Sequence, residues 1–95
     1  MSIVAVSVAT TATVLKAKNY KRIELVIDNQ STQDVFLGDG DGVTTSTGIP
    51  LEPGERFTLS QHAGKSQFFY RGAIYGIVAA STSDCRVLEL EETRA

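Results

Sequence analysis

Glycine, proline, asparagine, aspartate and serine break this chain every few residues, and the segments between them alternate apolar with polar side chains. A helix core face needs apolar residues three and four apart over at least about ten residues, whereas a period of two sets one face of a strand against a core. No segment here carries the helical period. The chain is therefore expected to be all-β: a single-domain antiparallel β-sandwich or jelly-roll-like barrel of seven to eight short strands.

The clearest strand covers residues 22–28, with Ile23, Leu25 and Ile27 on one face and Arg22, Glu24 and Val26 on the other. Asp28-Asn29-Gln30-Ser31-Thr32 is a turn, because such side chains hydrogen-bond nearby backbone and tolerate left-handed conformations. A strand over 34–38 then returns as the partner in a hairpin. Glycines at 38, 40, 42 and 48 make the stretch up to Leu51 a long loop, with one short strand at Val43-Thr44-Thr45. Glu52-Pro53-Gly54-Glu55 has the type II signature, proline fixing the first central angle and glycine supplying the positive φ at the second. Next, Arg56–Ser60 directs Phe57 and Leu59 inward and Arg56, Thr58 and Ser60 outward. His62-Ala63-Gly64-Lys65 is a further turn, and strands follow over 67–70, 73–80 and 85–91.

At the other end, Ile3, Ala5 and Ser7 alternate with Val4, Val6 and Val8, so the strand has apolar residues on both faces and is buried on both sides or covered by a partner. Residues 1–15 form an N-terminal arm or first strand, with a second extended piece over 12–16 and a turn at Lys18-Asn19-Tyr20-Lys21.

Composition removes several functional classes. The 95 residues are expected to form one domain, 1–95, with a core small enough that association between copies would help it. A single cysteine, Cys85, excludes an internal disulfide and any multi-cysteine zinc site, and is read as a small buried apolar residue. A net charge of -2 with 42% apolar residues fits neither a disordered tail nor a polybasic nucleic-acid binder. The first lysine is Lys16, after a run broken by Ser7, Thr10, Thr11 and Thr13, so no cleaved secretion signal is expected. No run approaches the roughly 20 apolar residues of a membrane span, and no membrane partner is expected.

Three motifs test the chain for chemistry. Asp39-Gly40-Asp41-Gly42 resembles the opening of a calcium loop, but the twelfth position counted from Asp39 is Pro50 where a bidentate glutamate belongs. It is read as a tight turn, with no metal. Lys16, Lys18, Lys21 and Arg22 around Tyr20 have the types that contact phosphate and stack a base, yet the chain is acidic overall and the group is read as a solvated connection. His62, the one histidine, has no neighbouring base and carboxylate with which to build a triad. Asn29-Gln30-Ser31 matches a glycosylation acceptor, which has meaning only on export. No nucleophile, base and orienting group assemble, so the chain is read as a non-enzyme with no cofactor.

Asn19 to Arg22, the 28–32 turn, Val35-Phe36-Leu37-Gly38, Thr44-Thr45-Ser46-Thr47-Gly48-Ile49-Pro50-Leu51, Pro53-Gly54-Glu55, Tyr70-Arg71-Gly72-Ala73-Ile74-Tyr75-Gly76-Ile77 and Arg86-Val87-Leu88-Glu89 together resemble the small β-sandwich virion proteins of tailed bacteriophages. The resemblance spans roughly residues 16 to 90. It implies a virion component: a head decoration, a head-fibre base, or a neck or tail accessory part. It also implies partners among the virion proteins, such as the major capsid protein, a homo-oligomer with trimers preferred, and no catalytic residues.

The expected work is then done by interfaces, where many copies turn modest contacts into avidity. The candidate interface residues are Ile3, Val4, Val6 and Val8 on the first strand and the aromatic group Phe68, Phe69, Tyr70 and Tyr75, aromatic side chains being enriched at interface cores. The same aromatics are also candidates for the sandwich core. The competing reading is a carbohydrate- or receptor-binding module on the same scaffold, with ligand held by Asp39, Asp41 and His62. Against it, the chain has no tryptophan and the 38–51 loop has no aromatic platform, so a small-molecule ligand is not expected.

Overall fold

The computed structural model describes residues 3–60 and 70–91. Eight strands run through them: β1 (Ile3–Val8), β2 (Thr13–Lys16), β3 (Arg22–Asn29), β4 (Val35–Gly38), β5 (Ile49–Leu51), β6 (Arg56–Ser60), β7 (Ile74–Ile77) and β8 (Ser83–Glu91). They form two four-stranded sheets with orders β1-β8-β3-β6 and β2-β7-β4-β5. Every pairing is antiparallel. The first strand pairs with the last, β2 with β7, β3 with β6 and β4 with β5, as in a long hairpin whose two arms are wrapped together around a core. Closing that ribbon brings β8 beside β3 and β7 beside β4. This is the strand order of a jelly roll, so the expected all-β sandwich is the observed fold.

The two inner faces meet over Val8, Leu15, Leu25, Ile27, Val35, Leu37, Leu51, Ile74, Val78, Cys85 and Val87. Val6, Phe57, Leu59 and Tyr70 pack against that cluster at its margin. Alternation accounts for most of it: Leu25 and Ile27 on β3, Cys85 and Val87 on β8, and Val35 and Leu37 on β4 occupy every second position. Gly76 lies on the inner face of β7, where an added Cβ would come within 3.0 Å of Leu15 and 3.3 Å of Val35. A side chain there would require Leu15 and Val35 to give way by a few tenths of an ångström, overpacking the core.

Local expectations differ from the structure at four places. Segments 22–28 and 34–38 are not a hairpin: β3 lies in one sheet and β4 in the other, and residues 30–34 cross between them. Asn29 makes the crossing. Its Nδ2 donates to Gln33 O (2.9 Å) and Leu51 O (2.7 Å), while its Oδ1 accepts from the Ser31 amide (2.9 Å) and hydroxyl (2.7 Å). A turn held this way by side-chain bonds has no need of strand pairing across it.

Second, Val43-Thr44-Thr45 is not a strand. Val43 instead folds back onto Gly38, and Thr44 closes a turn by bonding the amides of Ser46 and Thr47. The strand in this region is β5, hidden in the sequence by Pro50; it is an edge strand, where proline costs no central ladder bond. Third, Arg22 does not face outward but is fully buried, because the β3–β8 register shifts between Arg22 and Glu24 and turns the arginine to the inner face. Fourth, Tyr70 lies outside any strand, β7 is limited to Ile74–Ile77 and β8 starts at Ser83. The rest of the 67–70 segment, with Phe68 and Phe69, and the His62 turn lie outside the described residues. The type II turn is present: Gly54 has φ +81° and the Glu55 amide donates to Glu52 O at 2.9 Å.

Candidate protein–protein interface

The polar side chains best placed for chemistry are engaged in holding the sandwich closed. Arg22 is the centre of one network at the end of the β3–β8 ladder. Its Nε donates to Glu89 Oε2 at 2.6 Å, its Nη1 to Gly72 O at 2.9 Å and its Nη2 to Ala17 O at 2.9 Å. Asn19 Nδ2 donates to Glu89 Oε1 and Glu91 Oε2, and Lys16 Nζ lies 3.6 Å from Glu89 Oε1. Burial by itself would raise the Glu89 pKa. The hydrogen bonds from Arg22 and Asn19, with the charges of Arg22 and Lys16, outweigh it and hold the carboxyl below its ordinary value.

This network dissolves the basic group noted in the sequence. Arg22 is buried, Lys16 faces Glu89, and Lys18 Nζ sits over the Tyr20 ring at 5.6 Å from its centroid. Asn29, the potential glycosylation acceptor, is fully buried in the folded chain with both amide donors engaged. Asp39 and Asp41 are exposed in a turn in which the Val43 amide donates to Gly40 O at 3.3 Å. Among the described residues no three His, Cys, Asp or Glu side chains converge on a point that could hold a metal.

The apolar side chains left in solvent have a clear distribution. Among the described residues, Ile3 (65% exposed) and Val4 (46%) are on β1, Val14 (47%) is on β2 and Ile49 (64%) is on β5, all three being edge strands; the fifth large one, Tyr20, is in a turn. On β1 the two faces differ. Val8 is fully buried and Val6 packs at the core margin, whereas Ile3 continues onto the outer face of its sheet. There the register sets Ile3 beside Leu88 and Leu88 beside Val26, an apolar row across three strands. A second row, Ala5, Arg86, Asp28 and Arg56, runs next to it. The two rows, apart from Ala5, line a shallow depression of about 200 Å³. Asp28 receives two bonds from Arg56, each 3.1 Å, and Asp84 receives Arg86 Nη2 at 2.9 Å, so these four charges pair off with one another.

The candidate aromatics separate. Tyr70 packs against the core margin and its hydroxyl donates to Ala73 O at 2.7 Å. Burial, reinforced by Asp39, raises its pKa. Tyr75 lies on the opposite side of its sheet, half-buried beside Val14 in the β2–β7 ladder. Val14, Ile49, Val26 and Leu88 were not among the interface residues expected from the sequence. Their grouping depends on which strands are neighbours, and the only local hint was that Val26 and Leu88 are apolar at positions the alternation assigns to solvent.

A cleft of about 430 Å³ also opens between the sheets beside β5 and β6, lined by Leu37, Ile49, Phe57, Leu59 and Ile74 with Asp39 and Thr47. Tyr70 lines it as well, and apart from the polar groups of Asp39, Thr47 and Tyr70 its walls are apolar, which suits occupation by an apolar group better than any bond-making step. Comparison of the chain with protein-family models, with curated proteins and with solved structures gives no match.

Proposed function

We propose that the chain is a non-enzymatic structural component of a tailed-bacteriophage virion. It acts as a capsid decoration or other head, neck or tail accessory part, contacting the major capsid protein and further copies of itself. The observation that carries this reading is the placement of exposed apolar side chains on edge strands, with the strongest polar groups engaged inside the fold. Such a chain is equipped to adhere and has little with which to react. Jelly rolls serve in viral capsids and in lectins alike, so the virion assignment is supported by the sequence resemblance and not by the fold. Repetition over a particle surface suits an interface of this modest size, because linked copies bind with an avidity far above that of one contact.

The test is mass spectrometry of banded particles from cells producing this chain together with its neighbouring structural genes. Its peptides should co-purify at a fixed ratio to the major capsid protein and survive a salt wash. Their absence from intact particles would overturn the reading. The inter-sheet cleft with Asp39 favours one alternative, a carbohydrate- or receptor-binding module. Saturation-transfer NMR against a glycan panel separates the two, since a virion glue has no saccharide preference and a lectin does.

A further inference from the structure

The two sheets have four edges among the described residues: β1 and β6 in one, β2 and β5 in the other. An open edge offers unpaired N–H and C=O groups to any other strand, and proteins blunt such edges with short strands, proline, charge or bulges. Three of the four carry these devices. β5 has three residues with Pro50 at its centre. β2 has four, is interrupted by a register shift between Val14 and Lys16, and carries that lysine. β6 begins with Arg56, whose side chain is exposed.

β1 has none of them. Its six residues, Ile-Val-Ala-Val-Ser-Val, contain no charge, proline or glycine, and they pair with β8 without a break from Ile3 opposite Leu88 to Val8 opposite Ser83. It is the longest of the four edges, and it is the one that holds two of the exposed large apolar side chains among the described residues, Ile3 and Val4.

We propose that β1 pairs antiparallel with β1 of a second copy about a twofold axis, joining two four-stranded sheets into one of eight strands. The inference rests on the reading of the chain as a self-associating assembly protein and names the contact. A second copy fits because an uncharged strand does not repel itself, and because the alternation is self-complementary. Directly opposed residues of an antiparallel pair share a face. An axis through Ala5 therefore sets Val4 opposite Val6 of the second copy, and the reverse, on the inner side, where β-branched cross-strand pairs stabilise a sheet. On the outer side Ala5 meets its own equivalent and Ile3 meets Ser7 of the second copy. The arginine nearest the axis, Arg86, is paired with Asp84 and so adds little repulsion between the copies. A threefold ring would instead need β1 to dock on one of the three blunted edges, so the contact is twofold rather than the trimer implied by the resemblance.

Two substitutions in the full chain test it. Ala5→Cys should give a disulfide-linked dimer on mild oxidation, because directly opposed residues of an antiparallel pair have their Cα atoms about 4.5–5.5 Å apart, within the span that a disulfide bridges. Ser7→Cys, which faces Ile3 across the axis, should not. Ala5→Lys, at an exposed outer-face position, should leave the circular dichroism spectrum intact and raise the dimer dissociation constant by about a hundredfold, through like charges placed together in the contact. Sedimentation equilibrium reads the mass. A wild-type chain that is monomeric or trimeric, equal crosslinking at positions 5 and 7, or an Ala5→Lys chain that still dimerises would each overturn the inference. A monomer that is nevertheless found in purified particles removes this contact and leaves the virion reading standing. A β1-linked dimer absent from particles supports the contact and removes that reading.

Discussion

Glu89→Gln isolates the electrostatic part of the Arg22 network, since it keeps shape and volume and removes one charge. Arg22 is fully buried and the Glu89 side chain is nearly so, with 2.6 Å between Nε and Oε2. Breaking a buried ion pair by neutralising one partner typically costs about 3–5 kcal/mol, because the remaining charge is left without compensation. The glutamine carbonyl can still accept from Nε, and Gly72 O and Ala17 O remain, so the lower end applies, about 3 kcal/mol. That is a large share of the roughly 5–15 kcal/mol that holds an ordinary domain together. For a chain of this size it corresponds to a fall of about 12–24 °C in melting temperature.

Acid supplies a second arm. The folded carboxyl has a lowered pKa, so its contribution is fully present above the unfolded value of about 4.3 and is lost as pH falls through the folded value. The gap between wild type and Glu89→Gln should therefore be complete at pH 7 and shrink below about pH 4. Urea melts of both proteins between pH 3 and 7 measure it. A difference at pH 7 below about 1 kcal/mol, or one that does not narrow in acid, would refute the argument, since it would place the pair in the range of surface ion pairs. Arg56→Ala is the control: its partner Asp28 lies on the outer face, and the melting temperature should hardly move.

Three further outcomes are expected. Burial, with Asp84 and Asp28 nearby, pushes the Cys85 thiol up to about 11, so a disulfide reagent at pH 8 should react only as fast as the chain unfolds; complete labelling within the mixing time would refute this. Ser81 has φ 57°, a region that favours glycine, so Ser81→Gly should stabilise by about 0.5–1 kcal/mol, and a destabilised variant would show that the side chain has a role of its own. Asn29→Ala leaves Leu51 O and the Ser31 amide without their partners and should destabilise by about 2–4 kcal/mol in urea melts, whereas Gln30→Ala on the exposed side should not.

Most of the inward and outward assignments were legible locally. Phe57 and Leu59 point to the core, the 52–55 turn has its positive-φ glycine, and Leu25 and Ile27 are buried as their spacing requires. Arg22 was misplaced because a bulge is a property of a strand pair, and its partner β8 lies more than 60 residues on. The supposed hairpin of 22–28 with 34–38 failed for a related reason. A turn sequence states that the chain reverses, not which sheet it enters, and here the Asn29 bonds direct it across the sandwich.

The sequence alone determined the all-β class, the short strands and the uncharged, unbroken character of residues 3–8, because period-two alternation, turn chemistry and the absence of charge there are local properties of the chain. Only the tertiary structure decided that β1 is an edge at all, and that Ile3, Leu88 and Val26 form one row. Edges and rows are defined by neighbours, and the β1–β8 ladder joins residues some 75 to 85 positions apart, at a separation where no local pattern records the pairing.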